Sequence, residues 1–538
     1  MDSEPQTAAQ RWPSQIKYIV GNEACERFSY YGMKSILAGY ITGRVLDGGL
    51  GQTADTATSV IHAFVSANYF MPLLGAWLSD KLIGRYHTIL WVSLFYCAGH
   101  GVLACSDYAG GVHGKMICLF VGLALIAFGS GGIKPCVSAF MGDQFKPEQS
   151  HLLQKAYGAF YWSINLGSFF SFLVIPWIKD HHGYSPAFAV PGILMAIATF
   201  VFWLGTKHYV RVPPARQTKS AGFIPVFLTA YRNQPGATAG PFLNLLTTLG
   251  MPLIVMIALS YIAFKTQMTL SAHVLGWTAF ACVAFWYVSV LVTSLRGKFD
   301  PGDRFWEGAK RRYSDNEISA ARSVSPILFV FALVPVFWSL FDQTNSTWVL
   351  QGQKMLPFNF LGLKIGAEEM QSANPALVMI LIPLLTGWVY PRMGRYAAPL
   401  RRMSYGMFVA AFSFVVVAFL ESRIHAGAHL SVLWQLIPYI ILTTAEVLVS
   451  TTGLEFAFRE ASMELRSTIM SFWLLTVTVG DLFVVGITKL FSEPGNHAAS
   501  VSTGRFLLYA GLIFVVAILF SVVATSYRYR DATAAEGK

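Results

Sequence analysis

The sequence predicts an all-α integral membrane protein. Of its 538 residues, 54% are hydrophobic and only 12% are charged, whereas soluble domains carry about 25% charged residues. Apolar runs of about 17 to 25 residues, the length needed to cross a bilayer, recur along the chain. We count fourteen such runs: 16–42, 57–79, 87–105, 116–140, 156–178, 187–206, 241–264, 273–295, 324–350, 374–390, 401–421, 431–457, 467–490 and 504–527.

Lysine and arginine are concentrated in the loops on one side of this arrangement. The densest group runs from Lys298 to Arg312, and a second runs from Arg392 to Arg402. Cytoplasmic loops carry such an excess, so both termini are predicted to be cytoplasmic, in a multi-pass protein of the inner membrane. The formal net charge of +11 follows from this bias, and no nucleic-acid partner is implied. We expect the first helix to be retained, because no basic segment precedes it.

The first apolar run contains charges that are costly inside a bilayer. Each charged side chain at mid-membrane costs roughly 2.5 to 3.5 kcal/mol on insertion scales, so such residues pair or line a watered cavity. Glu23, Glu26, Arg27 and Lys34 all lie in this run, and Arg27, Tyr31 and Lys34 share one helix face by their spacing. A structural alternative is that Glu23 or Glu26 only neutralises Arg27. The strip is otherwise expected to bind an anion.

Lys134 is a third cation in an apolar run, close to Gly129, Gly131 and Gly132. Small residues let helices approach closely, which would bring Lys134 towards Glu23 or Glu26. Burial readily shifts the pKa of a lysine, whereas arginine stays protonated, so Lys134 is suited to switching. The alternative is a lysine that extends to the membrane surface.

In the second half of the chain, the charged residues singled out inside apolar runs are acids, whereas those of the first half include three cations. Asp342 and Glu446 are acids in apolar runs, Ser450 lies one turn from Glu446, and Asn374 begins the run 374–390. Together with Asn165, these residues predict a cavity with cations on one wall and an acid, amides and a hydroxyl on the other. A short zwitterion would bridge such a cavity.

The chain also contains an internal repeat. Gly75, Trp77, Lys81, Gly84, Arg85 and Tyr86 in one loop are matched by Gly387, Trp388, Arg392, Gly394, Arg395 and Tyr396 in another. Repeated six-helix halves with a site between them are typical of transporters. The predicted domains are a cytoplasmic tail (1–15), a six-helix bundle (16–210), a linker with two extra transmembrane helices and a basic loop (211–322), a second six-helix bundle (323–527) and a cytoplasmic tail (528–538). The loop from Gly75 through Asp80 to Arg85 resembles the cytoplasmic loop signature of the major facilitator superfamily.

Five further stretches resemble the proton-dependent oligopeptide transporter family of that superfamily. They are Glu23-x-x-Glu26-Arg27-Phe28-x-Tyr30-Tyr31-Gly32, the run from Gly129 through Lys134 to Phe145, Phe160-Tyr161-Trp162-Ser163-Ile164-Asn165-x-Gly167, Phe337-Trp338-x2-Phe341-Asp342-Gln343 with Ser346-Thr347-Trp348, and Glu446-x3-Ser450-x2-Gly453-Leu454-Glu455-Phe456. The two extra helices between the halves resemble those of bacterial members.

The resemblance implies a proton-coupled symporter that imports di- and tripeptides by alternating access. As a mechanism, we expect proton coupling to use Glu23, Glu26, Arg27, Lys134 and Asp342. The resemblance implies binding of the peptide carboxylate by the cations Arg27, Lys34 and Lys134. It implies binding of the amino group and backbone by Glu446 with Asn165 and Asn374, and we expect Ser450, one turn from Glu446, to take part. The resemblance places Tyr31, Tyr69, Tyr161, Trp338 and Trp473 in the pocket lining. One departure is Lys34, where the family most often has arginine, so the grip on the carboxylate is expected to be looser.

Two other functions fit the same fold. One is transport of another small anion such as nitrate, which has no amine to pair with Glu446, and the other is a peptide-sensing membrane protein that does not transport. An enzyme is not expected, because no nucleophile, metal or cofactor constellation is present, and the proton gradient would take the place of a cofactor. His425 and His429 lack a third ligand, so we predict no metal site. His62 is either a proton group or a core histidine. Small peptides, protons and lipid are the expected partners, with no obligatory protein partner.

Overall fold

The computed structural model describes residues 12–146, 149–214, 222–233, 300, 302–360, 362–460, 465–491, 499–527 and 529. The first part of the chain forms six long helices. They are α1 (Ile16–Thr42), α2 (Ala54–Trp77), α3 (Gly84–Ala104), α4 (Gly111–Gly142), α5 (Ser150–His182) and α6 (Tyr184–Leu204). A π-helical turn, Leu78–Ile83, joins α2 to α3.

The remaining described helices range from single turns to helices long enough to span a membrane. They are α7 (Phe223–Arg232), α8 (Asp303–Trp306), α9 (Asp315–Arg322), α10 (Val324–Phe331), α11 (Pro335–Phe341), α12 (Thr347–Gly352), α13 (Ala373–Leu384), α14 (Tyr390–Met393), α15 (Pro399–His425), α16 (Leu436–Glu446), α17 (Thr452–Glu460), α18 (Arg466–Leu490) and α19 (Thr503–Ser526). Between α12 and α13, strands β1 (Phe358–Phe360) and β2 (Leu363–Ile365) pair antiparallel, with Asn359 opposite Lys364.

Twelve of the fourteen predicted spans fall on described residues, and each coincides with a helical segment. The other two, 241–264 and 273–295, lie outside the described residues, so the count of fourteen stays a prediction. Within the described part of the chain, nine helical stretches are long and apolar enough to cross a membrane, or ten if one bent pair counts as a span. The helix α1 is not among them, because its segment carries Lys17, Glu23, Glu26, Arg27 and Lys34.

The chain divides into two compact units. The first contains residues 1–216, 343–383 and 420–440, and the second contains the rest. In the first unit, α1 packs on α5 and α6, while α4 packs on α2 and α3. This division does not test the domain boundaries predicted from the sequence, which stay predictions.

The glycines of α4 allow the close packing that the sequence predicted. A Cβ atom on Gly129 would lie 2.5 Å from Tyr96 of α3, and one on Gly131 would lie 2.3 Å from the carbonyl oxygen of Asn68 in α2. Helix α4 is therefore held close to both neighbours, and this fixes the position of Lys134 one turn further along.

In the first unit, several polar contacts bind residues 343–372 to the long helices. Ser346 Oγ lies 2.8 Å from His62 Nε2, and Gln371 Nε2 donates to the carbonyl oxygen of Ser35 at 3.1 Å. Lys179 Nζ lies 2.6 Å from Glu368 Oε2. We call residues 353–372, which include the two strands, the tether segment.

In the second unit, α11 packs against α18. The indole nitrogen of Trp338 donates to Thr476 Oγ1 at 3.1 Å, and the Trp338 and Trp473 rings are 6.2 Å apart. The amphipathic helix α7 packs on Phe305 through Phe227, at 5.0 Å between ring centres. This helix lies in the predicted linker (211–322), for which the sequence predicted two transmembrane helices and a basic loop.

Candidate functional site

The central feature of α1 is an arginine shared by two buried carboxylates. Arg27 Nε lies 2.7 Å from Glu23 Oε1 and 3.0 Å from Glu26 Oε2. Glu23 is 3% exposed and Glu26 is 1% exposed, whereas Arg27 retains 12%. Burying any of these charges alone would be costly, and the pairing offsets that cost. The helix spacing explains the contact to Glu23, which lies one turn before Arg27.

Glu26 is held by a second helix as well. Ser130 of α4 donates its hydroxyl hydrogen to Glu26 Oε1 at 2.7 Å. A hydrogen bond to an ionised acceptor is stronger than a neutral one. Because Ser130 and Arg27 contact different oxygens, the carboxylate of Glu26 joins α1 to α4.

Lys134 of α4 lies near the α1 carboxylates, but its direct contacts are with aromatic rings. Among the described residues, no carboxylate forms an ion pair with its ammonium group, which is fully buried and has no hydrogen-bond partner. The ammonium nitrogen lies 4.1 Å from the centre of the Tyr69 ring and 4.8 Å from that of Tyr30. Aromatic faces attract cations, by about 2 kcal/mol when the site is desolvated. Lys134 thus lies close enough to Glu26 and Glu23 to interact with their charges, but it forms no direct ion pair with either of them in this state.

Lys34 and His62 are also buried in the first unit. Lys34 is 2% exposed, and its ammonium nitrogen lies 5.8 Å from the centre of the Tyr30 ring. His62 is fully buried, with Nε2 2.8 Å from Ser346 Oγ. Tyr30 therefore lies beside both lysines, and Asn68 fixes its hydroxyl oxygen by donating to it at 3.2 Å.

The other predicted residues of the first unit differ in their surroundings. Tyr31 packs against Phe172 at 5.7 Å between ring centres. Asn165 is 7% exposed and donates to the carbonyl oxygen of Tyr161 in its own helix. Tyr161 is 40% exposed, and Asn374 is half-buried near the start of α13.

In the second unit, Glu446 and Ser450 lie at a break in regular helix. The helix α16 ends at Glu446, and a π-helical turn follows over Val447–Thr451. Such turns shift the direction of side chains and occur often at functional sites. Both residues are half-buried.

Asp342, Trp338 and Trp473 also belong to the second unit. Asp342 is 5% exposed and begins a 3-10 turn directly after α11. Trp338 and Trp473 are 8% and 2% exposed, and a Cβ atom on Gly453 would touch the Trp473 ring at 2.0 Å. These tryptophans are therefore held in a fixed packing arrangement within their unit.

The structure brings some of the predicted residues together within each unit, and in the second unit Trp338 contacts Trp473. Glu23, Glu26 and Arg27 are in contact, and Lys34 and Lys134 flank Tyr30 nearby. Sequence reasoning missed Tyr30, Asn68 and Ser130 as supports. Tyr30 and Ser130 lie inside the motifs quoted above, so their contacts could have been suspected there. Among the described residues, no group of three His, Cys, Asp or Glu side chains is arranged to hold a metal ion.

Comparison of the sequence with family models and with known proteins points to one family of membrane proteins. Residues 86–504 match the model of the POT family. Solute carrier family 15 member 2 of Rattus norvegicus is 33% identical over 444 residues, covering 79% of this chain and 51% of that protein. Peptide transporter family 1 of Drosophila melanogaster is 32% identical over 429 residues, covering 78% of this chain and 49% of that protein. The chain thus spans about half the length of the curated relatives it matches.

Two solved structures are similar over nearly the whole chain. An auto inhibited POT family peptide transporter is 37% identical with a TM-score of 0.79, covering 96% of this chain and 98% of that one. The POT family transporter PepTSo is 38% identical with a TM-score of 0.78, covering 96% of this chain and 99% of that one.

Proposed function

Because the chain belongs to the POT family and is a multi-pass membrane protein of major facilitator fold, we propose that it is a proton-coupled symporter importing di- and tripeptides by alternating access. The observation that carries this proposal is the buried ion-pair cluster of α1, in which Arg27 is shared by Glu23 and Glu26. The relatives are named as transporters and not as enzymes, and we propose that this chain catalyses no reaction and needs no cofactor beyond the proton gradient.

The peptide carboxylate would bind to the cations of the first unit. The ammonium group of Lys134 has no hydrogen-bond partner among the described residues and lies over two aromatic rings. An incoming carboxylate would supply the missing hydrogen-bond acceptor without displacing a carboxylate of the protein. Arg27 and Lys34 would complete the binding of this end of the peptide.

Protons would act through the carboxylates that hold Arg27. When Glu23 or Glu26 takes up a proton, it loses its charge and its attraction for Arg27 falls. The guanidinium group then becomes available to the peptide carboxylate, so proton and peptide binding favour each other. Reciprocity requires that the peptide also raises the affinity for the proton. Asp342 would couple its own predicted span, 324–350, to this change.

The amino group of the peptide would bind to Glu446 and to the polar residues proposed to act with it. Glu446 supplies a negative charge, and Ser450, Asn165 and Asn374 supply hydrogen-bonding groups. A short zwitterion, such as a peptide of two or three residues, carries both of the charged ends that these residues would recognise. Tyr31, Tyr69, Tyr161, Trp338 and Trp473 would contact side chains of many kinds through their apolar faces.

We further propose that the protein lies in the inner membrane with both termini in the cytoplasm. The excess of lysine and arginine in the loops on that side supports this orientation. With this orientation, the end of α1 at Thr42 and the tether segment face the outside. No protein partner is required for this function.

The direct test is uptake of labelled peptides into proteoliposomes with and without an inside-alkaline pH gradient. We expect accumulation of di- and tripeptides above equilibrium only when the gradient is present. Glu421→Gln is a matched control, because Glu421 is buried and paired with Lys354 at 2.7 Å but lies outside the proposed site. Accumulation of nitrate without peptide uptake would favour the other-anion function. Peptide binding without uptake would favour a sensor.

A further inference from the structure

Another ion pair lies beside Gly39, near the C-terminal end of α1. Lys179, in the last turn of α5, places Nζ 2.6 Å from Glu368 Oε2. Glu368 directly precedes the span that begins at Glu369, and it belongs to the tether segment. The contact joins residues separated by 189 positions, so it holds the tether segment onto the long helices.

The carboxylate of Glu368 fits into a space left by a glycine. A Cβ atom on Gly39 of α1 would lie only 2.3 Å from Glu368 Oε1, with Gln353 Nε2 and the Tyr184 hydroxyl oxygen each 3.4 Å away. Glu368 is 5% exposed. Helices α1 and α5 therefore enclose this carboxylate, which reaches water only if the tether segment moves away.

Lys179 has another carboxylate beside it. Asp180 Oδ1 lies 3.0 Å from Lys179 Nζ, and its other oxygen lies 3.5 Å from Lys364 of β2. Lys179 thus keeps a counter-ion even when Glu368 is neutral. This permits the tether segment to stay closed with a proton on Glu368.

Two further ionisable groups lie near Glu368. Glu369 is next in sequence and accepts the amide hydrogen of Gly366 at 2.9 Å, and the Tyr184 hydroxyl group belongs to α6. The 3-10 turn Val432–Gln435 packs against the 3-10 turn Glu369–Ser372 and carries no ionisable side chain.

We propose that Glu368, enclosed by Gly39 and Lys179, is a proton-binding site at which closure of the tether segment takes up a proton. This site is separate from the carboxylates of the α1 cluster. The proposal deepens the proposed function, on which the outward orientation of this end rests.

The direction of the pH effect on closure follows from the surroundings of Glu368 when the tether segment is closed over it and when the segment has moved away. Burial raises the pKa of Glu368 from its ordinary value of 4.5 to about 7, although Lys179 opposes the change. In the open form the carboxyl group would be in water, where its pKa returns towards the ordinary value. The closed form therefore binds the proton more tightly. Its added stability is complete below the lower pKa and is lost as the pH rises through about 7.

This linkage has a consequence for transport. An acidic outer solution, which supplies the protons for symport, would also favour closure of the outer end. Closing after peptide and protons have entered is the step that commits them to import. When the outer end reopens, Glu368 would return its proton to the same side, so it regulates closure without adding to the number of protons transported.

Hydrogen–deuterium exchange of the full chain in lipid nanodiscs tests the proposal. Exchange of backbone amides in residues 353–372 is measured at about pH 6 and about pH 8 and corrected for the intrinsic pH dependence. Linkage with closed and open pKa values of 7 and 4.5 predicts protection about tenfold higher at the lower pH. Glu368→Gln should remove this difference, and Gly39→Ala should lower protection at both pH values by displacing the carboxylate.

Glu369→Gln is the matched control, because its side-chain oxygen can still accept the Gly366 amide hydrogen. Because Glu369 is itself a buried acid, this variant should keep most of the tenfold difference. The proposal is overturned if the wild-type chain shows equal protection at both pH values, or if Glu368→Gln keeps the difference. Because the measurement needs no substrate, its outcome is independent of whether the chain transports peptides.

Discussion

The ammonium nitrogen of Lys134 lies 4.1 Å from the centre of the Tyr69 ring. The ring of Tyr30 lies 4.8 Å from the same nitrogen. Among the described residues, these two rings contact the buried ammonium group, and no carboxylate forms an ion pair with it. The proposed site therefore holds one cation in an ion pair, Arg27, and another against aromatic rings.

Tyr69→Leu should weaken peptide binding. Loss of the ring removes about 2 kcal/mol of attraction for a desolvated cation, so Lys134 would be less able to remain charged and in place. We expect the KM for a dipeptide to rise by roughly tenfold to thirtyfold. Tyr69→Phe keeps the ring and should change KM little. Equal effects of the two substitutions would show that the hydroxyl group, and not the ring, supports binding.

The double variant Glu23→Gln, Glu26→Gln should be destabilised much more than either single variant. Each single variant leaves Arg27 with one carboxylate, whereas the double variant leaves a buried arginine without its partners. Breaking a buried pair in this way costs roughly 3 to 5 kcal/mol. Thermal unfolding in detergent measures the effect. Strictly additive effects of the single variants would contradict the shared pairing.

Lys34→Arg should tighten the hold on the peptide carboxylate. Arginine forms two parallel hydrogen bonds with a carboxylate, while lysine acts as a point charge. We expect KM for dipeptides to fall by roughly threefold to tenfold, consistent with about 1 kcal/mol of added binding. Lys34→Gln is the comparison that removes the charge and should raise KM. An unchanged KM in both variants would exclude Lys34 from the carboxylate site.

Glu446→Gln should affect substrates according to their amino group. Its negative charge is proposed to pair with the peptide amine, so affinity for dipeptides should fall by more than tenfold, in line with a lost charge-assisted hydrogen bond of roughly 1.5 to 3 kcal/mol. A peptide analogue with no amino group should be affected far less. Competition with a labelled dipeptide measures both. A similar loss for the two compounds would remove Glu446 from this role.

The fold was largely predictable, because the apolar runs and their ends can be seen in the order of residues along the chain. The first predicted span, 16–42, coincides with α1, Ile16–Thr42, although this run contains several charges. The helix α9 was missed, even though Ser314 and Glu317 form a capping box at its start that sequence reading can detect. At eight residues it is too short to stand out as a membrane-spanning apolar run.

The site was predictable where its residues share one helix. Glu23 and Arg27 are one turn apart on α1, so their contact follows from helix geometry. The contacts of Lys134 could not be predicted in this way, because they depend on helix packing, which brings Tyr30 and Tyr69 to its ammonium group. Glu368 and Lys179 were missed for a similar reason. Each is a charged residue near the end of a span, and no spacing rule connects them.

The most direct test of the proposed mechanism is accumulation of a labelled dipeptide driven by a pH gradient, compared with exchange of the same peptide without a gradient. The wild-type chain should do both. The double variant Glu23→Gln, Glu26→Gln, if folded, should exchange peptide but fail to accumulate it, because Arg27 is no longer controlled by protonation. Accumulation by the double variant at the wild-type level would contradict proton coupling through Glu23 and Glu26.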